Sequence, residues 1–143
     1  MGSRFSNEVI EATSEAISLI KRQYKTIEIE LVGYSGGAAV AALVAAARSD
    51  VTRVITVAGN LNHSYWTQLH RVTPLGDSQN PVDYAKQLEA TPQLHFVGGR
   101  DSTVPKSVVE SYVEVFPDST IHTIQVIREN GHNCCWEGVS AQF

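Results

Sequence analysis

An α/β fold, mainly a parallel sheet of about four strands flanked by helices, is what this sequence predicts. Four runs rich in β-branched residues recur along the chain, at 26–34, 51–60, 92–99 and 120–127. Segments with helical spacing or helix-forming composition precede or separate them, and strands that alternate with helices imply parallel pairing through crossovers. The length of 143 residues, with 43% hydrophobic and 18% charged, is that of one globular domain with one core.

The elements follow in order. Residues 7–25, "NEVIEATSEAISLIKRQYK", place Val9, Ile10, Thr13, Ala16, Ile17, Ile20 and Tyr24 at helical spacing, with Asn7 as the expected N-cap and Lys and Arg near the end. "TIEIELVGY" then alternates Ile27, Ile29 and Leu31 against Glu28 and Glu30 before turning wholly apolar, which is the behaviour of a partly exposed strand. The Ala-rich stretch from Gly36 to about Arg48 is expected to be helical, because Ala has the highest helix propensity. "VTRVITVAGN", "PQLHFVGG" and "TIHTIQVI" supply the remaining strands, and residues 105–115, "PKSVVESYVEV", read as a helix with Pro in its first turn. Residues 60–91 break the rhythm: they hold two prolines, two histidines, Trp66 and a possible short helix at 81–90, and form a longer excursion than an ordinary connection. Such an excursion from the carboxyl end of a strand is a place where α/β proteins shape binding sites.

Composition excludes several classes of function. A net charge of −4, with Lys and Arg scattered, offers no field for nucleic acid or anionic lipid. The richest apolar run, residues 38–47, is ten long and dominated by Ala, well short of a membrane span. The N-terminus has no basic stretch followed by an apolar one, so the cytoplasm is the default location, with an exported or lipid-anchored parent left open. Cys134 and Cys135 are adjacent and lack the spacing of a zinc site, so no metal is expected and two ordinary thiols are favoured over a vicinal disulfide. No cofactor motif is read.

The chemistry concentrates where the first strand meets the Ala-rich helix. Gly33-Tyr34-Ser35-Gly36-Gly37 reads G-x-S-x-G between strand and helix, a context in which the turn is so sharp that Gly is expected on both sides while Ser projects upward. The following helix aims free N–H groups at the same spot. A phosphate cradle does not fit, because there is no G-x-x-x-x-G-K-[ST] and no Lys between 26 and 85. A tight turn whose glycines only permit close packing stays open on the pentapeptide alone.

A serine hydroxyl needs a base, and an imidazole base needs a carboxylate. "HFVGGRDSTVP" places Asp101 just past the third strand, and "VIRENGHNCCW" places His132 just past the fourth, giving the order Ser35, Asp101, His132. Asp101 alone is compatible with a turn or capping role, and His132 alone with an idle loop residue. His63 and His70 lie in the long excursion, where substrate contact or a structural role is expected; Asp50 and Asp118 look like turn residues, and Asp77 is the reserve acid.

Through "GYSGG", "GGRDSTVP" and "NGHNCCW" the chain resembles the α/β-hydrolase superfamily, over nearly its whole length but only as the C-terminal half of that fold. The resemblance implies a partial α/β-hydrolase fold and a serine hydrolase acting on a small-molecule ester, thioester or amide. Ser35 would be the nucleophile, His132 the general base and acid, Asp101 its orienting partner, and Gly36 N–H one oxyanion donor. Tyr34, Asn60, His63 and Trp66 are the residues expected around the substrate. The segment supplying the second oxyanion donor in complete members has no counterpart, since only one helix precedes the nucleophile strand. The chain is therefore expected to be a fragment lacking N-terminal strands, whose open sheet edge invites self-association. A non-catalytic binding or interaction domain that keeps triad-like residues is the alternative.

Overall fold

Residues 5–143 are described by the structure, a computed structural model. Four strands, β1 (Ile29–Tyr34), β2 (Val51–Val57), β3 (Gln93–Gly98) and β4 (His122–Ile127), form one sheet in the order β1-β2-β3-β4, and every neighbouring pair is parallel. The helices are α1 (Asn7–Tyr24), α2 (Gly36–Ala47), α3 (His63–His70), α4 (Ala85–Leu88) and α5 (Lys106–Val113). This is the α/β architecture that the alternating pattern predicts.

The differences from the sequence reading lie at element ends and in the excursion. Ser6, not Asn7, is the N-cap of α1, and Lys25 ends that helix in the left-handed region at φ 52°. β1 begins at Ile29 rather than Thr26 because its first partner residue is Val51 opposite Ile29; Ile27 points away, 83% exposed. Inside the excursion, α3 is a helix that apolar spacing does not announce, capped by the Asn62 side chain, which accepts from Tyr65 N–H at 3.3 Å. The helix expected at 81–90 is a 3₁₀ turn, Pro81–Tyr84, running into α4. At the C-terminus a 3₁₀ turn, Val139–Gln142, forms.

The period-two pattern divides the core between the two sheet faces. Ile29, Leu31, Val54, Val97 and Ile124 pack against α2 and α5, whose Ala38, Ala41, Ala42, Val109 and Tyr112 are buried. With Ala at so many positions of α2, that helix lies close to β1 and β2 without side-chain bulk. On the other face Ile55, Val57 and Phe96 are covered by Val139 and Trp136 of the C-terminal segment. α1 rests on α2 through Ile10, Ile17 and Leu43, leaving Leu19, Ile20 and Tyr24 exposed.

Asp50 does more than turn the chain. It accepts from Arg48 Nη2 at 2.7 Å and Lys21 Nζ at 2.5 Å, and these two cations, Arg48 first, hold its carboxyl well below the usual range. Arg48 also donates to Ser14 O at 2.7 Å, tying α1 to the turn before β2.

Candidate active site

Because all four strands run the same way, their carboxyl ends share one edge of the sheet, and Ser35, Asp101 and His132 each follow one of those ends. Ser35 sits between β1 and α2 with φ 52° and ψ −118°, a left-handed conformation that a non-glycine residue adopts at a cost. Its N–H donates to Val57 O at 2.9 Å. Gly33 is required here, since a Cβ would lie 2.5 Å from Ala38 Cα. Gly37 is not: a Cβ there would meet nothing within 4 Å, so the expectation of a crowded glycine on both sides of the serine holds on one side only.

The three side chains form one hydrogen-bonded chain. Ser35 Oγ lies 2.9 Å from His132 Nε2, and His132 Nδ1 lies 2.9 Å from Asp101 Oδ2. The Asp101 side chain is completely buried and that of His132 nearly so, at 11% exposure. A carboxylate only accepts, so Nδ1 carries the imidazole proton and Nε2 is left to accept from the Ser35 hydroxyl. The other oxygen, Asp101 Oδ1, accepts from Thr103 N–H at 2.9 Å and Val104 N–H at 2.8 Å. This turn is the capping geometry that Asp offers locally, and it coexists with the contact to His132 because the two oxygens divide the work. Gly98 lets the two loops meet, since a Cβ there would lie 3.0 Å from Asn130 C and nearer still to its oxygen. A hydroxyl, an imidazole and a buried carboxylate so connected can pass a proton from oxygen to nitrogen and hold the resulting cation.

Around this chain the other predicted residues are spread unevenly. Gly36 opens α2, so its N–H is among the first-turn donors that have no partner within the helix. Tyr34 is 45% exposed; its hydroxyl lies 2.8 Å from His132 O and 3.0 Å from Asn133 Oδ1, linking the serine turn to the histidine loop. Trp136 Nε1 donates to the same His132 O at 3.0 Å. Asn60 N–H donates weakly to Ser35 O at 3.4 Å, and its buried Oδ1 has no hydrogen-bond partner among the described residues. His63 is buried, its ring tilted against that of Phe5 at a centroid distance of 4.5 Å, and the Phe5 ring in turn lies over Gly36. Burial pushes the His63 pKa down, and the neighbouring Asn60 and Gln79 backbones and Asp83 only partly oppose this. Trp66 is directed at the loop after β3, where its indole N–H donates to Thr103 O at 2.8 Å.

The sequence reading did not single out Thr103, Trp136 or Asn133, whose contributions are contacts across the fold. It also favoured free thiols at 134 and 135; instead Cys134 and Cys135 are joined in a vicinal disulfide on the histidine loop. Cys135 takes φ 79°. Among the described residues no group of three or more His, Cys, Asp or Glu is placed to hold a metal ion, and no helix is long and apolar enough to cross a membrane.

A family model described as serine hydrolase (FSH1) matches residues 4–133. No curated protein matches the chain. Solved structures of similar fold include an esterase from Pyrococcus furiosus (TM-score 0.69, 16% identity, 93% of this chain and 56% of that one). An acylaminoacyl peptidase from Pyrococcus horikoshii aligns at TM-score 0.69 with 14% identity, over 87% of this chain and 23% of that one. An α/β fold family hydrolase from Bacillus anthracis str. Sterne aligns at TM-score 0.65 with 13% identity, over 93% of this chain and 71% of that one. The shared fold is that of the α/β hydrolases, and the chain spans just over half the esterase and under a quarter of the peptidase.

Proposed function

We propose that this chain, which belongs to the serine hydrolase (FSH1) family, carries its hydrolase chemistry on a Ser35–His132–Asp101 triad that transfers acyl groups from small-molecule esters, thioesters or amides. The observation that carries the reading is the unbroken hydrogen-bonded chain from Ser35 Oγ through both His132 nitrogens to Asp101.

In the reaction so read, Ser35 Oγ attacks the acyl carbonyl as its proton passes to His132 Nε2. The oxyanion of the tetrahedral intermediate accepts from Gly36 N–H at the positive end of α2, a position that needs no reorganisation during the step. Collapse of the intermediate breaks the bond to the leaving group, which takes the proton back from His132. Water then repeats the sequence on the acyl-enzyme and releases the acid. Asp101 stays ionised throughout and fixes the tautomer. Each oxyanion donor is worth roughly 10²–10³-fold in rate.

An active-site-directed fluorophosphonate tests the assignment. Labelling is expected at Ser35, abolished in Ser35→Ala and slowed about 10⁴-fold in Asp101→Asn, which supplies the wrong tautomer partner. Equal labelling of Ser35→Ala would overturn the nucleophile, and an unslowed Asp101→Asn the acid.

A further inference from the structure

Two backbone N–H groups hold Asp101 Oδ1, those of Thr103 and Val104, and the excursion grips the peptide that carries the second. The Thr103–Val104 peptide presents its N–H to Asp101 Oδ1 at 2.8 Å, while its carbonyl, Thr103 O, receives two hydrogen bonds. Both come from α3: Trp66 Nε1 at 2.8 Å and His70 Nε2 at 2.8 Å, four residues apart and therefore on the same helical face, with their rings in contact at 4.8 Å. A carbonyl only accepts, so His70 carries its proton on Nε2. The helix that offers these donors is itself braced: Asn80 Oδ1 accepts from His63 N–H at 3.0 Å, and Asn62 Nδ2 donates to Ser111 Oγ of α5 at 3.1 Å.

We propose that Trp66 and His70 are positioning residues for the triad acid, acting through the Thr103–Val104 peptide to fix Asp101 against His132. The inference rests on the triad reading above. Its physical content is twofold. Two donors on one carbonyl fix the plane of that peptide, and so the direction of Val104 N–H. Hydrogen bonds in series also polarise one another, so loading the carbonyl strengthens the N–H as a donor. One Asp101 oxygen is thereby occupied and the other left facing His132 Nδ1. Trp66 thus enters as a brace whose indole N–H is already committed, and His70 gains a role that its position in a long loop does not disclose.

The test reads the protons themselves by NMR, on this chain as it stands. The His132 Nδ1–H bound to a buried carboxylate is expected far downfield in the unaltered protein, and absent from Asp101→Ala. In the double variant Trp66→Phe/His70→Ala, both that resonance and the Val104 amide proton move upfield, and Ser35 labelling slows by roughly fivefold, the equivalent of one ordinary hydrogen bond. His70→Gln, whose amide can donate from a similar place, restores the Val104 shift. If the double variant does not fold, Trp66→Phe alone, which keeps the ring, is read in the same way. A Val104 amide and a low-field proton both unmoved in the folded variant overturn the inference while leaving the triad intact. A low-field proton missing from the unaltered protein, or surviving Asp101→Ala, overturns the triad reading and the inference with it.

Discussion

His95→Asn is expected to flatten the dependence of stability on pH between 7 and 5. His95 is fully buried in β3, and burial first, then the nearby His122, push its pKa down to about 3. Its Nδ1 meets Thr56 Oγ1 at 2.7 Å, its Nε2 has no hydrogen-bond partner among the described residues, and its ring stands edge-on to Tyr112 at 5.5 Å, so a cation there would be unpaired. In the unfolded chain the same side chain titrates near 6.5. The folded pKa is the lower of the two, so the unfolded state takes up the proton first. The neutral ring's contribution is therefore whole above about pH 6.5, declines as pH falls below it, and levels off only below the folded value near 3. At about 1.4 kcal/mol per pH unit, the descent from 6.5 to 5 removes about 2 kcal/mol. Asn keeps a polar atom facing Thr56 and does not titrate. His63, whose pKa burial also lowers, is present in both proteins and cancels in the difference; Asp50 loses its protection only in the carboxylate range, below this window. Urea unfolding at pH 7 and pH 5, followed by circular dichroism, should show the unaltered protein losing about 2 kcal/mol more than His95→Asn. Equal losses in the two proteins, at equal denaturant slopes, would refute the argument.

The serine turn makes a paired prediction: Gly33→Ala forces a Cβ into backbone and should cost about 1–3 kcal/mol or more. Gly37→Ala, in open space within α2, should raise stability by about 0.5–1 kcal/mol, and thermal melts of the two separate these signs. β1 is an outer strand with Val32 53% exposed, so the unaltered protein should self-associate at high concentration in sedimentation experiments, and Val32→Lys should reduce this. A strictly monomeric profile for the unaltered protein would sink that expectation.

What could be read in advance depended on how locally each feature is encoded. The strands were legible because period-two runs end at turn residues, and once they are parallel, Ser35, Asp101 and His132 must face the same edge. The start of β1 was misread because "TIE" continues the alternation with no partner strand beside it. α3 was invisible for a different reason: its eight residues are secured by Asn80, Ser111 and Thr103, up to 49 positions away. Trp66 is expected around the substrate from its place in the excursion, and nothing in the local sequence announces the acceptor that its indole N–H finds 37 residues later. Thr56, Gln93, His95 and His122 likewise give no local sign that they are buried among helices, since their hydrogen bonds cross strands and layers.

The sheet order β1-β2-β3-β4 bears on how the site comes into being. Each strand pairs with the one made just before it, so a chain emerging from its N-terminus can add strands one at a time, without waiting for a distant partner. The serine turn and its helix can then form early, but His132, the base of the proposed triad, comes 97 residues later, after the last strand. If the proposed triad is the active one, a chain folding in this order holds its nucleophile unarmed until the proton acceptor, the last part delivered, is in place.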